Sequence, residues 1–236
     1  MDLAIEDAVA WIAGGGVLAY PTETVWGLGA DARSDAAIAQ LRAFKGRGGD
    51  APISILVTGL AALGGLGFRV DAAAQRLARD FWPGPLTLVL PCRGRFAAGV
   101  ARGDGAVGVR CSPHAVASEL AKRCEVADAG PLTATSCNVS GAPAARTRDA
   151  ARRVCGDASG IRVLQVARSE AKPSEGHQGV ARSEAKPSED QRWGGPDAGE
   201  EPASTVVDVT GPRPRVLRWG ALRERALAPV LEELAA

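Results

Sequence analysis

Runs of only four or five mainly apolar residues recur along the whole chain, and longer stretches of helical periodicity separate them. Val17-Leu18-Ala19-Tyr20 stops at Pro21, and Ile53–Val57, Leu86–Leu90, Val107–Arg110 and Leu132–Thr135 follow. Arg162–Val166, Thr205–Val209 and Arg215–Arg218 continue the pattern. Apolar runs of this length read as strands buried on both faces. Leu3, Ile5, Val9 and Ile12 share one face of an opening helix that Gly14-Gly15-Gly16 ends. Ser34 is placed as the N-cap of a second helix, whose inward stripe is Ala37, Ile38, Leu41 and Phe44 and whose stop is Gly46. Helices are also expected over Asp71–Asp80, Pro113–Ala121 and Asp149–Cys155, and a last one over Ala221–Leu234 is interrupted by Pro229. Trp82-Pro83-Gly84-Pro85 reads as a rigid turn feeding the Leu86 strand. Such a mixture, with hairpin-like spacings in places, predicts an α/β domain on a mixed sheet.

Composition narrows the function classes. A chain of 236 residues with 46% hydrophobic and 23% charged residues is expected to form one domain over 1–236. A chain of that size buries about 70% of its unfolded surface, so it needs no disulfide or metal to hold it. Lys and Arg number 28 against 27 Asp and Glu, which counts against attachment to nucleic acid by bulk charge but not against a local basic cleft. Aromatics at 4% argue against a stacking platform for single-stranded RNA. The cysteines (Cys92, Cys111, Cys124, Cys137 and Cys155) are odd in number and lack a CxxC spacing, which fits reduced thiols. With only His114 and His177, histidine-based zinc chemistry is not expected, and no metal site is assigned. The acidic start, Met1-Asp2-Leu3-Ala4-Ile5-Glu6-Asp7, is unlike a signal peptide, and no apolar run approaches the roughly 20 residues of a membrane span. A cytoplasmic location without membrane contact is expected.

One segment breaks the pattern. Val166–Glu175 recurs word for word as Val180–Glu189, and two copies are too few to stack into a solenoid. Residues 167–201 are expected to be a solvated, disordered insertion, with a mobile lid as the functional alternative.

Polar residues concentrate where apolar runs end. Tyr20-Pro21-Thr22-Glu23-Thr24-Val25-Trp26-Gly27-Leu28-Gly29 sets hydroxyls and glycines after a strand, and Ser136-Cys137-Asn138-Val139-Ser140-Gly141 does the same after another. Alone, each could be a turn satisfying its own backbone. Lys45-Gly46-Arg47 puts two cations at a helix end, where compensation of the helix dipole is the plainer reading. Arg110 ends an apolar strand and would cost energy if buried without an anion. Pro202–Asp208, with Ser204, precedes the strand-borne Arg218. Groups at strand ends in α/β sheets face ligand crevices, yet neither a Walker loop nor a GxGxxG fingerprint is present.

Taken in order, these motifs together with Trp82-Pro83-Gly84-Pro85-Leu86-Thr87 and Ser204-Thr205-Val206-Val207-Asp208 resemble the YrdC-like family. Members of its short, single-domain form are L-threonylcarbamoyladenylate synthases. The resemblance spans about residues 5 to 220, apart from the insertion. It implies a twisted mixed sheet with flanking helices around a concave cleft. It also implies a nucleotidyltransferase that joins L-threonine, bicarbonate and ATP into threonylcarbamoyl-AMP and pyrophosphate. A threonylcarbamoyl transferase complex then uses that product in tRNA threonylcarbamoyladenosine formation, and contact of this chain with tRNA is left open. On the family pattern, Lys45 and Arg47 are catalytic and bind ATP together with Ser136, Asn138, Arg146 and Arg218. Thr24, Arg110 and Ser204 are its threonine-contacting positions. Relatives often carry Ala where Cys137 stands.

The chemistry suits those residues. Every substrate is anionic or carries a carboxylate, so positioned cations and proximity carry the reaction, and Mg2+ would bridge phosphates mainly through water. No enzymic nucleophile is expected, and His114 reads as structural. Lys45→Ala or Arg47→Ala is expected to lose most turnover with little change in melting. The competing readings are a non-catalytic RNA-binding module of the same fold and a carbamoyl-transfer domain like that of hydrogenase-maturation proteins.

Overall fold

Two mixed sheets carry the architecture in the computed structural model, which describes residues 2–46, 52–166 and 203–235. Arg47 and the tandem repeat over 167–201 lie outside the described residues. The first sheet has the order β1 (Asp2–Leu3), β9 (Arg162–Leu164), β2 (Leu18–Tyr20), β3 (Gly27–Gly29), β8 (Thr135–Ser136). The second has the order β11 (Arg215–Arg218), β10 (Thr205–Asp208), β5 (Leu86–Pro91), β6 (Ala106–Arg110), β4 (Ile55–Leu56), β7 (Leu132–Thr133). Seven α-helices are described: α1 (Ile5–Ala13), α2 (Asp35–Lys45), α3 (Leu60–Gly65), α4 (Ala72–Phe81), α5 (Ala115–Val126), α6 (Arg148–Cys155) and α7 (Glu224–Ala235).

The fully buried runs at β2 and β6 explain why these segments are apolar without alternation. In the second sheet β5 lies antiparallel to β6 with Thr87 opposite Arg110, and parallel to β10 with Thr87 opposite Val206. Helix ends follow the sequence signals. Ser34, Asp71 and Thr147 accept from the backbone N–H groups of Ala37, Ala74 and Ala150. Gly46 closes α2 at φ +61°, in the left-handed region that glycine enters without penalty.

One segment contributes a strand to each sheet. The apolar run expected as one strand over Leu132–Thr135 is split: β7 pairs with β4 in one sheet and β8 pairs with β3 in the other. Thr133 is the pivot. Its Oγ1 donates to the Leu28 carbonyl and accepts from Ala30 N–H, each at 3.0 Å. Its own carbonyl accepts from Tyr20 Oη at 2.9 Å. Burial pushes the Tyr20 phenol far above its ordinary range, so it remains a donor.

Other elements also depart from the sequence expectation: α3 has no counterpart in it, and α7 runs through Pro229 instead of being interrupted there. Leu3 belongs to β1, paired in parallel with β9, rather than to the first helix. Asp2 is held there by Arg148 and Arg152 of α6. Gly27-Leu28-Gly29 is a strand instead of a turn, because the Tyr20 ring lies against it. A Cβ on Gly29 would stand 2.9 Å from Tyr20 Cε1 and 2.8 Å from Leu132 Cδ1. The helix expected over Pro113–Ala121 starts at Ala115 and continues to Val126.

All five cysteines are free thiols, four of them buried. Burial pushes the Cys111 and Cys124 thiols up to about 11. An unfolded thiol ionises nearer 9, so the unfolded chain sheds these protons first. Stability is therefore full below about pH 9 and falls as pH rises toward about 11. Urea midpoints measured across that range should decline, and the decline should shrink in Cys124→Ala. A flat profile would contradict the burial of these thiols.

Candidate functional site

A cleft opens where the sheets meet, walled by Tyr20, Ser54, Thr87, Arg110, Ser136, Ser204 and Arg218 among others. Thr22 and Val25 of the β2–β3 connection also line it. The residues that build it come from distant parts of the chain and from both sheets.

Arg110 is the last residue of β6 and is almost completely buried. Its Nη2 donates to Glu23 and, at 2.9 Å, to Thr24 Oγ1. The other Glu23 oxygen accepts from Ser112 Oγ. Thr24 Oγ1 lies 3.2 Å from Thr22 Oγ1, which donates to the Val25 carbonyl at 2.6 Å and so fixes the turn. The anion that a buried Arg110 requires is thus internal. Arg110 Nε–H, however, is buried without an acceptor. An unpaired donor on a buried cation is costly.

Beside Arg110 stand two hydroxyls. Thr87 Oγ1 and Ser204 Oγ are 2.8 Å apart and both buried. The Ser204 carbonyl accepts from Arg218 Nη2 at 2.9 Å and from Nε at 3.3 Å, so β11 and the segment before β10 close one end of the cleft together. Arg218 itself is exposed.

Lys45 does not line the cleft. It is 1% exposed, and its ammonium donates to the Ser136 carbonyl at 2.6 Å, the Asn138 carbonyl at 3.0 Å and Asn138 Oδ1 at 2.9 Å. Asn138 Oδ1 also accepts from Ser136 Oγ at 2.6 Å, and its Nδ2 donates to the Ala142 carbonyl at 2.6 Å. Lys45 is therefore the buried post on which the Ser136–Asn138 loop is mounted. The loop is pinned further by Cys137 N–H to the Trp26 carbonyl and Ala145 N–H to the Cys137 carbonyl. Cys137 Sγ packs 3.8 Å from Cys155 Sγ at the end of α6.

Of the residues expected from sequence, Arg110, Ser136, Ser204 and Arg218 line the cleft, and Thr24 touches Arg110. Asn138 and Lys45 lie behind Ser136. Arg146 is exposed, one residue beyond Ala145, whose backbone is bonded to Trp26 and Cys137. Arg47 is outside the described residues. Sequence reasoning assigned no role to Glu23, Ser112 or Thr87. The signal for Glu23 was available, since an arginine ending an apolar strand needs an anion and Glu23 is the acid of the first polar motif.

The family model for Sua5, YciO and YrdC proteins, described as "Telomere recombination", matches residues 10–175. The chain belongs to that family. A Mycobacterium leprae relative in the same group of similar proteins is 37% identical over 227 residues, 96% of this chain and 87% of its own. The threonylcarbamoyl-AMP synthase of Stenotrophomonas maltophilia is 38% identical over 151 residues, 63% of this chain and 78% of its own. Among solved structures, Pyrococcus abyssi Sua5 complexed with L-threonine superposes with a TM-score of 0.74 at 30% identity. That match covers 96% of this chain and 56% of Sua5, so the chain spans little more than half the length of that relative. Among the described residues, five of the six motifs that carried the resemblance contribute a residue to the cleft lining, and Lys45-Gly46 of the sixth do not.

Proposed function

We infer that this chain is an L-threonylcarbamoyladenylate synthase, a nucleotidyltransferase folded as one domain, converting ATP, L-threonine and bicarbonate to threonylcarbamoyl-AMP and pyrophosphate. The observation that carries the reading is the buried, unpaired Nε–H of Arg110 beside the Thr87–Ser204 hydroxyl pair in the cleft. An amino acid offers such a site a carboxylate for the guanidinium and, in threonine, a hydroxyl for the hydroxyl pair. Thr24, Arg110 and Ser204 are assigned to threonine. Ser136, Asn138, Arg146 and Arg218 are assigned to ATP, with Arg47 paired to them by sequence. Lys45 serves ATP through the loop it supports.

The threonine nitrogen bonds to the carbon of bicarbonate with loss of water, giving an N-carboxylate. One oxygen of that carboxylate attacks the α-phosphorus, and the bond to the bridging oxygen of pyrophosphate breaks. Attack by an anion on a polyanion is slow unless cations hold both partners and follow the charge onto pyrophosphate. Proximity supplies the remainder. Among the described residues no three His, Cys, Asp or Glu side chains converge to cage an ion. Magnesium is accordingly assigned to the ATP phosphates and water rather than to a protein cage. A separate transferase, acting on tRNA, would consume the product. No helix among the described residues is long and apolar enough to cross a membrane.

Purified protein given MgATP and bicarbonate should release pyrophosphate only when L-threonine is added. Release that ignores threonine, or none at all from folded protein, would end the reading.

A further inference from the structure

Glu23 has no part in the reaction assigned above, yet both its carboxylate oxygens are engaged beside the cleft. One accepts from Arg110 Nη2 and the other from Ser112 Oγ, with side-chain exposures of 13% for Glu23 and 10% for Arg110. Ser112 Oγ also accepts from His114 N–H at 3.2 Å, which ties this end of the pair to the start of α5. Glu23 is not among the residues lining the cleft. On charge alone the arrangement is unfavourable for function, because a carboxylate beside Arg110 weakens its attraction for an anionic substrate. Geometry offers the compensating gain. A guanidinium is planar, so fixing Nη2 between Glu23 and Thr24 Oγ1 fixes the direction of its other N–H bonds, including the unpaired Nε–H.

We propose that Glu23 is a positioning residue for the amino-acid substrate: it clamps Arg110 so that the substrate carboxylate meets a pre-oriented guanidinium. The proposal rests on the assignment of Arg110 to the threonine carboxylate. It makes recognition directional, with little dependence on net charge. Orientation fixed before binding spares the complex the cost of immobilising a long side chain.

The two roles open to Glu23 predict changes of opposite sign. If it only tempers charge, Glu23→Gln leaves the Arg110 charge uncompensated and threonine binds more tightly. If it positions, the amide has one acceptor oxygen for two donors, one contact is lost, and threonine binds more weakly. The full chain is titrated with L-threonine by calorimetry in the presence of a non-hydrolysable ATP analogue, and steady-state KM values are taken for threonine and ATP. Glu23→Gln should raise the threonine Kd and KM about tenfold while the ATP KM moves by less than about threefold. Ser112→Ala, which frees the second oxygen, should shift threonine binding the same way by a smaller factor. A role confined to stability would lower the melting temperature without this split between substrates. Unchanged or tighter threonine binding in folded Glu23→Gln overturns the proposal. If that variant does not fold, unchanged binding in Ser112→Ala overturns it. Failure of the wild-type chain itself to bind threonine removes the reading of the cleft and this proposal together, whereas wild-type binding with an unaffected variant removes this proposal alone.

Discussion

Arg110→Met should abolish threonine-dependent pyrophosphate release, lowering kcat/KM by at least about a hundredfold, and should also destabilise the fold. The functional loss follows from removing the guanidinium whose Nε–H is unpaired at the cleft. Charge-assisted contacts of this kind contribute about 3–4 kcal/mol when they act on the reacting complex. The stability loss has a separate origin. Methionine has the length to fill the space, but it leaves the Glu23 carboxylate, 13% exposed, without its cation. Removing one partner of a buried pair typically costs about 3–5 kcal/mol, more than the pair itself contributes. The double variant Arg110→Met with Glu23→Gln should therefore recover much of the denaturant midpoint and none of the activity. Chemical denaturation of the three variants beside the pyrophosphate assay separates the effects. A double variant no more stable than Arg110→Met would mean that the pair is not coupled as the distances indicate.

Lys45→Ala is the second large effect, and here the structure reverses an expectation. The family resemblance makes Lys45 a catalytic, ATP-binding cation beside Arg47, so its loss is expected to spare stability. In the structure its ammonium is buried on the Ser136 and Asn138 acceptors. Truncation leaves those acceptors without their donor and opens a cavity beneath the loop. A cost of about 3 kcal/mol is expected, which for a chain of this size lowers Tm by roughly 6–12 °C. Activity should fall as well, because Ser136 loses its mounting while Arg110 and Ser204 are untouched. The ATP KM should accordingly rise more than the threonine KM. A Tm within about 2 °C of wild type would show that the ammonium is held less firmly than its hydrogen bonds indicate.

The two variants also show which parts of the site could be read in advance. Local chemistry was legible. Ser34, Gly46 and the apolar stripe of α2 are decided within a few residues, and α2 lies where they predict it. The buried runs at β2, β5 and β6 needed no distant partner to be recognised, since only strands covered on both faces tolerate such continuous apolar sequence. Strands that depend on their partners were not legible. Gly27-Leu28-Gly29 has poor intrinsic strand preference and becomes a strand because the Tyr20 ring occupies the space of its missing side chains. Asp2–Leu3 is a strand because β9, 160 residues later, lies alongside it.

The amino-acid order by itself determined the α/β class and the set of polar motifs from which most of the cleft is made. Those follow from periodicity, composition and short-range chemistry, which act within a few residues. Only the tertiary structure decided what each polar group does. It sank Lys45 beneath a loop, paired Arg110 with Glu23, and split Leu132–Ser136 between two sheets. The reason is that desolvation and hydrogen-bond satisfaction are settled by which groups meet once the core has closed, and that depends on contacts spanning about a hundred residues.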